Sequence, residues 1–124
     1  MFQDADVIYS YTREQAIDDG VLVNVSETAK EAGIKYPTAV TRAVWCEIIE
    51  PDEKAKEHGE SIAGRLWDVL FMFSMAARRS SGDIIQYRML ATKDGRQHTR
   101  TLKAVCSPGD TQAPVITIML PDED

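Results

Sequence analysis

Ile85, Tyr87, Met89 and Ala91 recur at every second position of this 124-residue chain, until Asp94-Gly95 interrupts the run. Asp-Gly between two alternating runs is the strongest short-range signal for a β-hairpin closed by a type I′ turn, because both central residues must take positive φ. Such a turn fixes register as well as topology. With strands over residues 84–91 and 99–106, Tyr87 falls opposite Leu102 and Ile85 opposite Ala104 on one face. Arg88–Thr101 and Gln86–Lys103 then fall on the other. A slip of one residue would turn the whole apolar set toward water, so the turn and the pattern demand the same pairing. Ser107-Pro108-Gly109-Asp110 reads as the next turn, and residues 115–120 as a third strand.

Just before the hairpin the period is helical. Over residues 61–79, Ile62, Leu66, Val69, Leu70, Phe73, Ala76 and Ala77 make one wide apolar face. Trp67, Phe71 and Met75 make a second stripe opposite, and Arg65, Asp68 and Arg79 mark the polar wedge. Residues 1–50 need a surface to pack on, so Trp67 is expected to be covered inside the monomer in preference to a homodimer seam. Its replacement by alanine should then cost about 3–5 kcal/mol.

The N-terminal half is made of short pieces. Val7-Ile8-Tyr9 reads as a strand. Thr12 offers a helix N-cap with Gln15 completing a capping box, and Gly20 suits the left-handed C′ position. Val21 to Val25 reads as a second strand, and Ser26 as the cap of a helix ended by Gly33. Val40, Val44 and Ile48, four apart, predict a helix from Pro37-Thr38 to about Ile49, with their β-branched content favouring a strand as the alternative. Residues 50–60 are dense with charge and contain Pro51 and Gly59, which marks a solvated connection and the segment best suited to disorder.

These pieces predict an α+β fold: a C-terminal three-stranded antiparallel meander packed on a long central helix, with short N-terminal strands and helices. A chain of 124 residues, 44 % hydrophobic and 27 % charged, fits one globular domain over 1–124. The opening residues do not form a signal peptide, and the longest apolar stretch is too short to cross a bilayer. A cytoplasmic setting is expected, with Cys46 and Cys106 as reduced, partly buried thiols.

The net charge of −6 hides an asymmetry. Residues 1–64 carry 13 acids and 6 bases, residues 65–103 carry 8 bases and 3 acids, and residues 104–124 carry four acids and no base. A basic middle between acidic ends speaks to association and not to fold. The candidate partner-binding residues are Arg88, Lys93, Arg96, Arg100 and Lys103, joined by His98, on the hairpin. A basic two-stranded ribbon can enter a DNA groove. Aromatic side chains are absent from it apart from the inward Tyr87, however, and lysine and arginine also protect exposed strands. A protein partner is therefore expected in preference to nucleic acid.

Other constellations are thinner. Cys46, Cys106, His58 and His98 lie at no close metal-ligand spacing, so no metal and no cofactor are expected. Cys46 with His98 is the one thiol–imidazole choice, and an apolar helix around Cys46 would leave its thiol unreactive. Asp18-Asp19, Asp52-Glu53 and Asp122-Glu123-Asp124 read as solvated acids. Nothing here identifies a catalytic residue.

Tyr9-Ser10-Tyr11-Thr12-Arg13, then Ala16-Ile17-Asp18-Asp19-Gly20-Val21-Leu22-Val23, resembles the opening of an uncharacterised family of small proteins borne on bacterial plasmids and other mobile elements. Arg42-Ala43-Val44-Trp45, Gly64-Arg65-Leu66-Trp67-Asp68, Pro108-Gly109-Asp110 and Pro114 to Pro121 with its acidic end fit the same pattern. The resemblance implies a bacterial, cytoplasmic accessory protein and brings no activity with it. It leads to the expectation of a non-catalytic binding protein, with inhibition of a host defence complex by protein–protein contact as one form of that role. Two alternatives are weighed beside it. The opening strand and helix are similar to those of compact ADP-ribosyltransferases, which would make a pocket lined by Tyr9, Tyr11 and Thr12 a catalytic site. The acidic first half would suit a DNA mimic.

Overall fold

The computed structural model describes residues 11–124. The strand read at Val7-Ile8-Tyr9 lies outside the described residues. Helix α1 (Arg13–Asp18) begins as its sequence requires: Thr12 Oγ1 accepts the Gln15 N–H at 3.0 Å, and Gln15 Oε1 accepts the Thr12 N–H at 2.9 Å. Gly20, at φ +78°, turns the chain into β1 (Leu22–Asn24). In α2 (Ser26–Glu31) the expected cap is displaced by one residue. Val25 holds the N-cap position and makes no side-chain bond there. The Ser26 hydroxyl instead donates to Asn24 Oδ1 at 2.7 Å and accepts the Thr38 N–H at 3.0 Å, tying this helix to the start of the next strand.

The single helix read through Val40, Val44 and Ile48 is three elements. Residues Thr38–Thr41 form β2, and Arg42–Val44 form α3, which widens directly into a π-helical turn, Trp45–Ile49. The Thr41 hydroxyl accepts the Val44 N–H at 3.3 Å and caps the change of direction. Val40, Val44 and Ile48 are all fully buried, so their spacing reports a common inward side across the junction and not one helix. The charged connection is also ordered. Asp52 Oδ1 accepts the Ala55 N–H at 2.8 Å and starts α4 (Glu53–Glu57), whose Ala55 is buried.

Helix α5 (Ile62–Arg78) is capped by Ser61, and Leu66, Val69, Leu70 and Phe73 enter the core as expected. Three expectations fail along it, the first being Ile62, set on the inner apolar face but 43 % exposed in the first turn. Trp67 is 37 % exposed and is not covered by the described residues, because α2 and the π-turn pack on α5 beside the sheet and leave its outer side open among them. Arg65, assigned to the polar wedge, is only 6 % exposed.

The remaining strands are β3 (Ile84–Lys93), β4 (Arg96–Pro108) and β5 (Pro114–Met119). Hairpin register follows the turn: Tyr87 pairs with Leu102, Ile85 with Ala104, Arg88 with Thr101 and Gln86 with Lys103. Asp94 and Gly95 take φ +54° and +76°, as type I′ geometry requires. Tyr87 is buried, and its hydroxyl donates to the Val69 carbonyl of α5 at 2.9 Å. The antiparallel meander β3–β4–β5 is present but is only part of a five-stranded mixed sheet in the order β1-β2-β5-β4-β3. The missing link is the parallel pairing of β2 with β5, Thr38 opposite Ile116 through Val40 opposite Ile118. The fold is α+β, with α2, the π-turn and α5 on one face of the sheet. Arg13 on α1 fastens the opposite face, donating to Thr117 Oγ1 at 2.6 Å and to the Ile116 carbonyl at 2.7 Å. Among the described residues no helix is long and apolar enough to cross a membrane.

Candidate functional site

Strand β5 pairs only with residues 103–108 of β4, whereas β3 pairs with β4 all the way to the Lys93–Arg96 step. Residues 87–93 and 96–102 therefore run on past the sheet as a two-stranded arm. Alternation along the arm divides the basic residues between its faces. Lys93, Arg96, His98 and Arg100 share the face of Leu102 and Tyr87, which looks toward α5 and the π-turn. Arg88 and Lys103 share the opposite face with Leu90, which is 59 % exposed. The predicted strip is thus two half-strips back to back.

The inward half closes over a cleft of about 580 Å³ between the arm and the segment Cys46–Asp52, with Arg65 at its base. A π-helical turn forms one wall, the Glu50 N–H reaching back to the Trp45 carbonyl at 2.8 Å. The Ile48 carbonyl at the end of that turn has no helical partner and accepts Arg65 Nη1 at 3.0 Å. Arg65 also holds Glu60 Oε1 from Nε at 3.1 Å, and it donates to the Thr92 carbonyl on the arm. One buried guanidinium thereby joins the π-turn, the connection and the hairpin. Asp52 adds a second tie, its Oδ2 accepting the Asp94 N–H at the hairpin tip at 2.9 Å. Two backbone donors, at Asp94 and Ala55, hold the Asp52 carboxyl below the usual aspartate range.

Across the cleft Arg100 pairs with Glu47 at 3.4 Å, and Lys103 on the far face donates to the Glu123 carbonyl. Arg88, Lys93 and Arg96 are exposed and have no carboxylate partner among the described residues. The other predicted groups fall as follows. Cys46 and His98 do line one cleft, but Cys46 is exposed and not sealed in an apolar helix, because the π-turn faces it outward. No hydrogen bond orients the His98 ring among the described residues. The His58 Nδ1–H donates to the Lys54 carbonyl at 2.7 Å, far from the other imidazole in sequence. No group of three or more His, Cys, Asp or Glu among the described residues is placed to hold a metal ion.

The opening segment serves structure where it is described. Tyr11 donates to Asp19 Oδ2 at 2.7 Å, a bond that raises the phenol pKa, and the Thr12 hydroxyl is spent on the α1 cap. Tyr11 borders an open depression of about 730 Å³ on the second sheet face, where Glu123 Oε1 accepts the Thr41 hydroxyl at 2.7 Å and the Leu120 N–H at 2.8 Å. Arg65 and Asp52 escaped sequence reasoning as a pair. The only signal for them was Asp52 placed three residues before Ala55, a cap pattern inside a stretch read as loop.

The whole chain, residues 1–124, matches a family of unknown function (DUF6573). The chain belongs to that family. No curated protein and no solved structure matches it. The family and the α+β architecture agree with the sequence resemblance to an uncharacterised family.

Proposed function

We propose that this chain is a binding protein without catalytic chemistry of its own, which engages an acidic protein surface through the β3–β4 arm. The observation that carries the reading is the arm itself: it runs beyond the sheet, is braced near its tip by Arg65 and Asp52, and presents Arg88, Lys93 and Arg96 without a carboxylate partner among the described residues. Bracing removes much of the ordering cost that a free hairpin would meet on binding. Exposed Leu90 supplies an apolar point beside Arg88 on the outward face, while Lys93 and Arg96 add charge along the other face near the tip. The sequence resemblance to plasmid-borne proteins supports service to a mobile element, with a host defence complex as the target.

The test is a photo-reactive residue at Leu90 in the full chain, with exposed Thr111 in the β4–β5 turn as the control site, applied in bacterial cells and in their extract. A discrete protein adduct at Leu90 is expected, and its yield should fall steeply with added salt. Arg88→Glu with Arg96→Glu should abolish it; Arg100 is the wrong choice because Glu47 already holds it. An adduct indifferent to salt and to both substitutions would remove the reading. Retention of a labelled DNA duplex at physiological salt, lost on the same substitutions, would transfer it to nucleic acid.

A further inference from the structure

The outer side of α5 carries the largest uncovered apolar surface of the helical layer. Trp67, Phe71 and Met72 are 37, 43 and 39 % exposed. Trp67 and Phe71 stack, with ring centroids 5.9 Å apart and planes 18° from parallel. At about 100° per residue, Gly64, Trp67, Phe71, Met75 and Arg78 share one stripe, directly away from inward Val69 and Phe73. Tyr36, 45 % exposed, stands beside Ser74 and Arg78 and widens the patch. The patch reaches a few hundred Å², the size at which exposed apolar surface marks an interaction site.

The charges along the stripe name its occupant. Asp68 lies in the N-terminal half of α5. Partial burial and the neighbouring Glu60 charge push its carboxyl above the usual range, and no ion pair holds it among the described residues. Arg78, in the last turn, is exposed and likewise has no acidic partner there. A parallel companion helix of the same sequence would set aspartate on aspartate and arginine on arginine. An antiparallel one, with its twofold axis at Phe71, does the reverse. Phe71 then meets the partner's Phe71, and Trp67 meets the partner's Met75, a favourable sulfur–aromatic contact. The partner's Arg78 crosses Gly64, where only Ser61 Oγ would come close to a Cβ, and extends toward Asp68 one turn on.

We propose that the outer face of α5 is the seam of a twofold-symmetric, antiparallel homodimer. The two patches together bury on the order of several hundred Å², the weak end for a specific interface, so the dimer should associate no more tightly than roughly the micromolar range. This face is separate from the arm, and the seam stands or falls independently of the function proposed above.

Sedimentation equilibrium of the full chain from about 1 to 200 µM brackets that range. The expected result is a twofold rise in mass with concentration. Phe71→Glu places two carboxylates on the axis and should weaken association at least about 100-fold, with the far-ultraviolet spectrum unchanged. Asp68→Arg and Arg78→Glu should each weaken it about tenfold, and the two together should restore it to within about threefold of the wild type. Arg88→Glu with Arg96→Glu should leave it unaltered. A single-chain mass over the whole range overturns the proposal, as does a dimer indifferent to Phe71→Glu. If that variant does not fold, the charge-exchange set decides alone, and failure of the double variant to recover overturns the antiparallel seam.

Discussion

Replacing Arg65 by methionine keeps the stem of the side chain and removes only its guanidinium. The side chain is 7 % exposed, so the loss is felt away from bulk water. Three acceptors are orphaned: the Ile48 carbonyl, the Thr92 carbonyl and Glu60 Oε1. Glu60 is 30 % exposed and can be rehydrated, which limits its share. The Ile48 carbonyl sits at the end of a π-turn beneath the arm and cannot, and one unsatisfied buried acceptor costs about 1–3 kcal/mol. Adding the charge-assisted bond to Glu60 and the one to Thr92 gives about 3–4 kcal/mol, inside the range for breaking one side of a buried ion pair. With a denaturant slope of about 1.5 kcal/mol per molar urea, the unfolding midpoint should fall by roughly 2 M. Fluorescence of Trp45 and Trp67 follows the titration. Glu60→Gln should cost only about 1 kcal/mol, because a neutral amide oxygen still accepts from the guanidinium. A methionine variant within about 1 kcal/mol of the wild type would refute the view that this guanidinium ties the arm to the body.

Tyr87→Phe should cost only about 0.5–1 kcal/mol by thermal or urea unfolding, because the Val69 carbonyl that loses the phenol lies within α5 and keeps its place in the helical ladder; a loss above about 3 kcal/mol would contradict that. Gly95→Ala should lose about 1–2 kcal/mol through its φ of +76°, and a stability equal to the wild type would question the type I′ turn. Asp52 and Asp110 each accept two backbone N–H groups, which hold both carboxyls below the usual range. A depressed folded-state pKa means that their stabilisation is complete above the ordinary aspartate value of about 4 and is lost as pH falls through the lower folded value. Acid unfolding should therefore show a steeper limb below about pH 4 in the wild type than in the Asp52→Asn, Asp110→Asn double variant, and identical limbs would argue against both caps.

The parts of the fold that were legible are those that neighbours in sequence decide. The hairpin is the clearest, because Asp94-Gly95 sets the register and every apolar residue agrees with it. The capping box at Thr12 and the positive φ of Gly20 were equally local. What was not legible depends on partners far along the chain. The β2–β5 pairing joins Thr38 to Ile116, and nothing in either segment announces the other. Arg65 looked like a surface residue because its acceptors lie at Ile48 and Thr92, on elements whose placement the periodicity of α5 cannot reveal. Trp67 failed for the opposite reason: an apolar stripe states that a cover is favourable and not whether this chain provides one. In the candidate site, the sequence alone offers the five basic residues as one strip. Strand alternation divides them, a consequence already contained in the predicted register.

The positive middle of the sequence is worth less as a field than its formal charge suggests, and the reason bears on function. Of its eight bases, Arg65 is internal, Arg100 is paired with Glu47, and Lys103 is fastened to the Glu123 carbonyl. The remainder divides between the arm (Arg88, Lys93, Arg96) and the end of α5 (Arg78, Arg79). These groups lie on separate surfaces, so one partner of modest size would not need both. Closing the α5 seam consumes the second group and leaves the first facing outward on each copy. A dimer of this kind carries two arms, and engagement of one makes the other's encounter with a repeated target intramolecular, a gain of about 10²–10⁴ in avidity where the spacing permits. A partner that is itself oligomeric would then feel Phe71→Glu almost as strongly as the loss of Arg88 and Arg96, whereas a monomeric partner would feel only the latter.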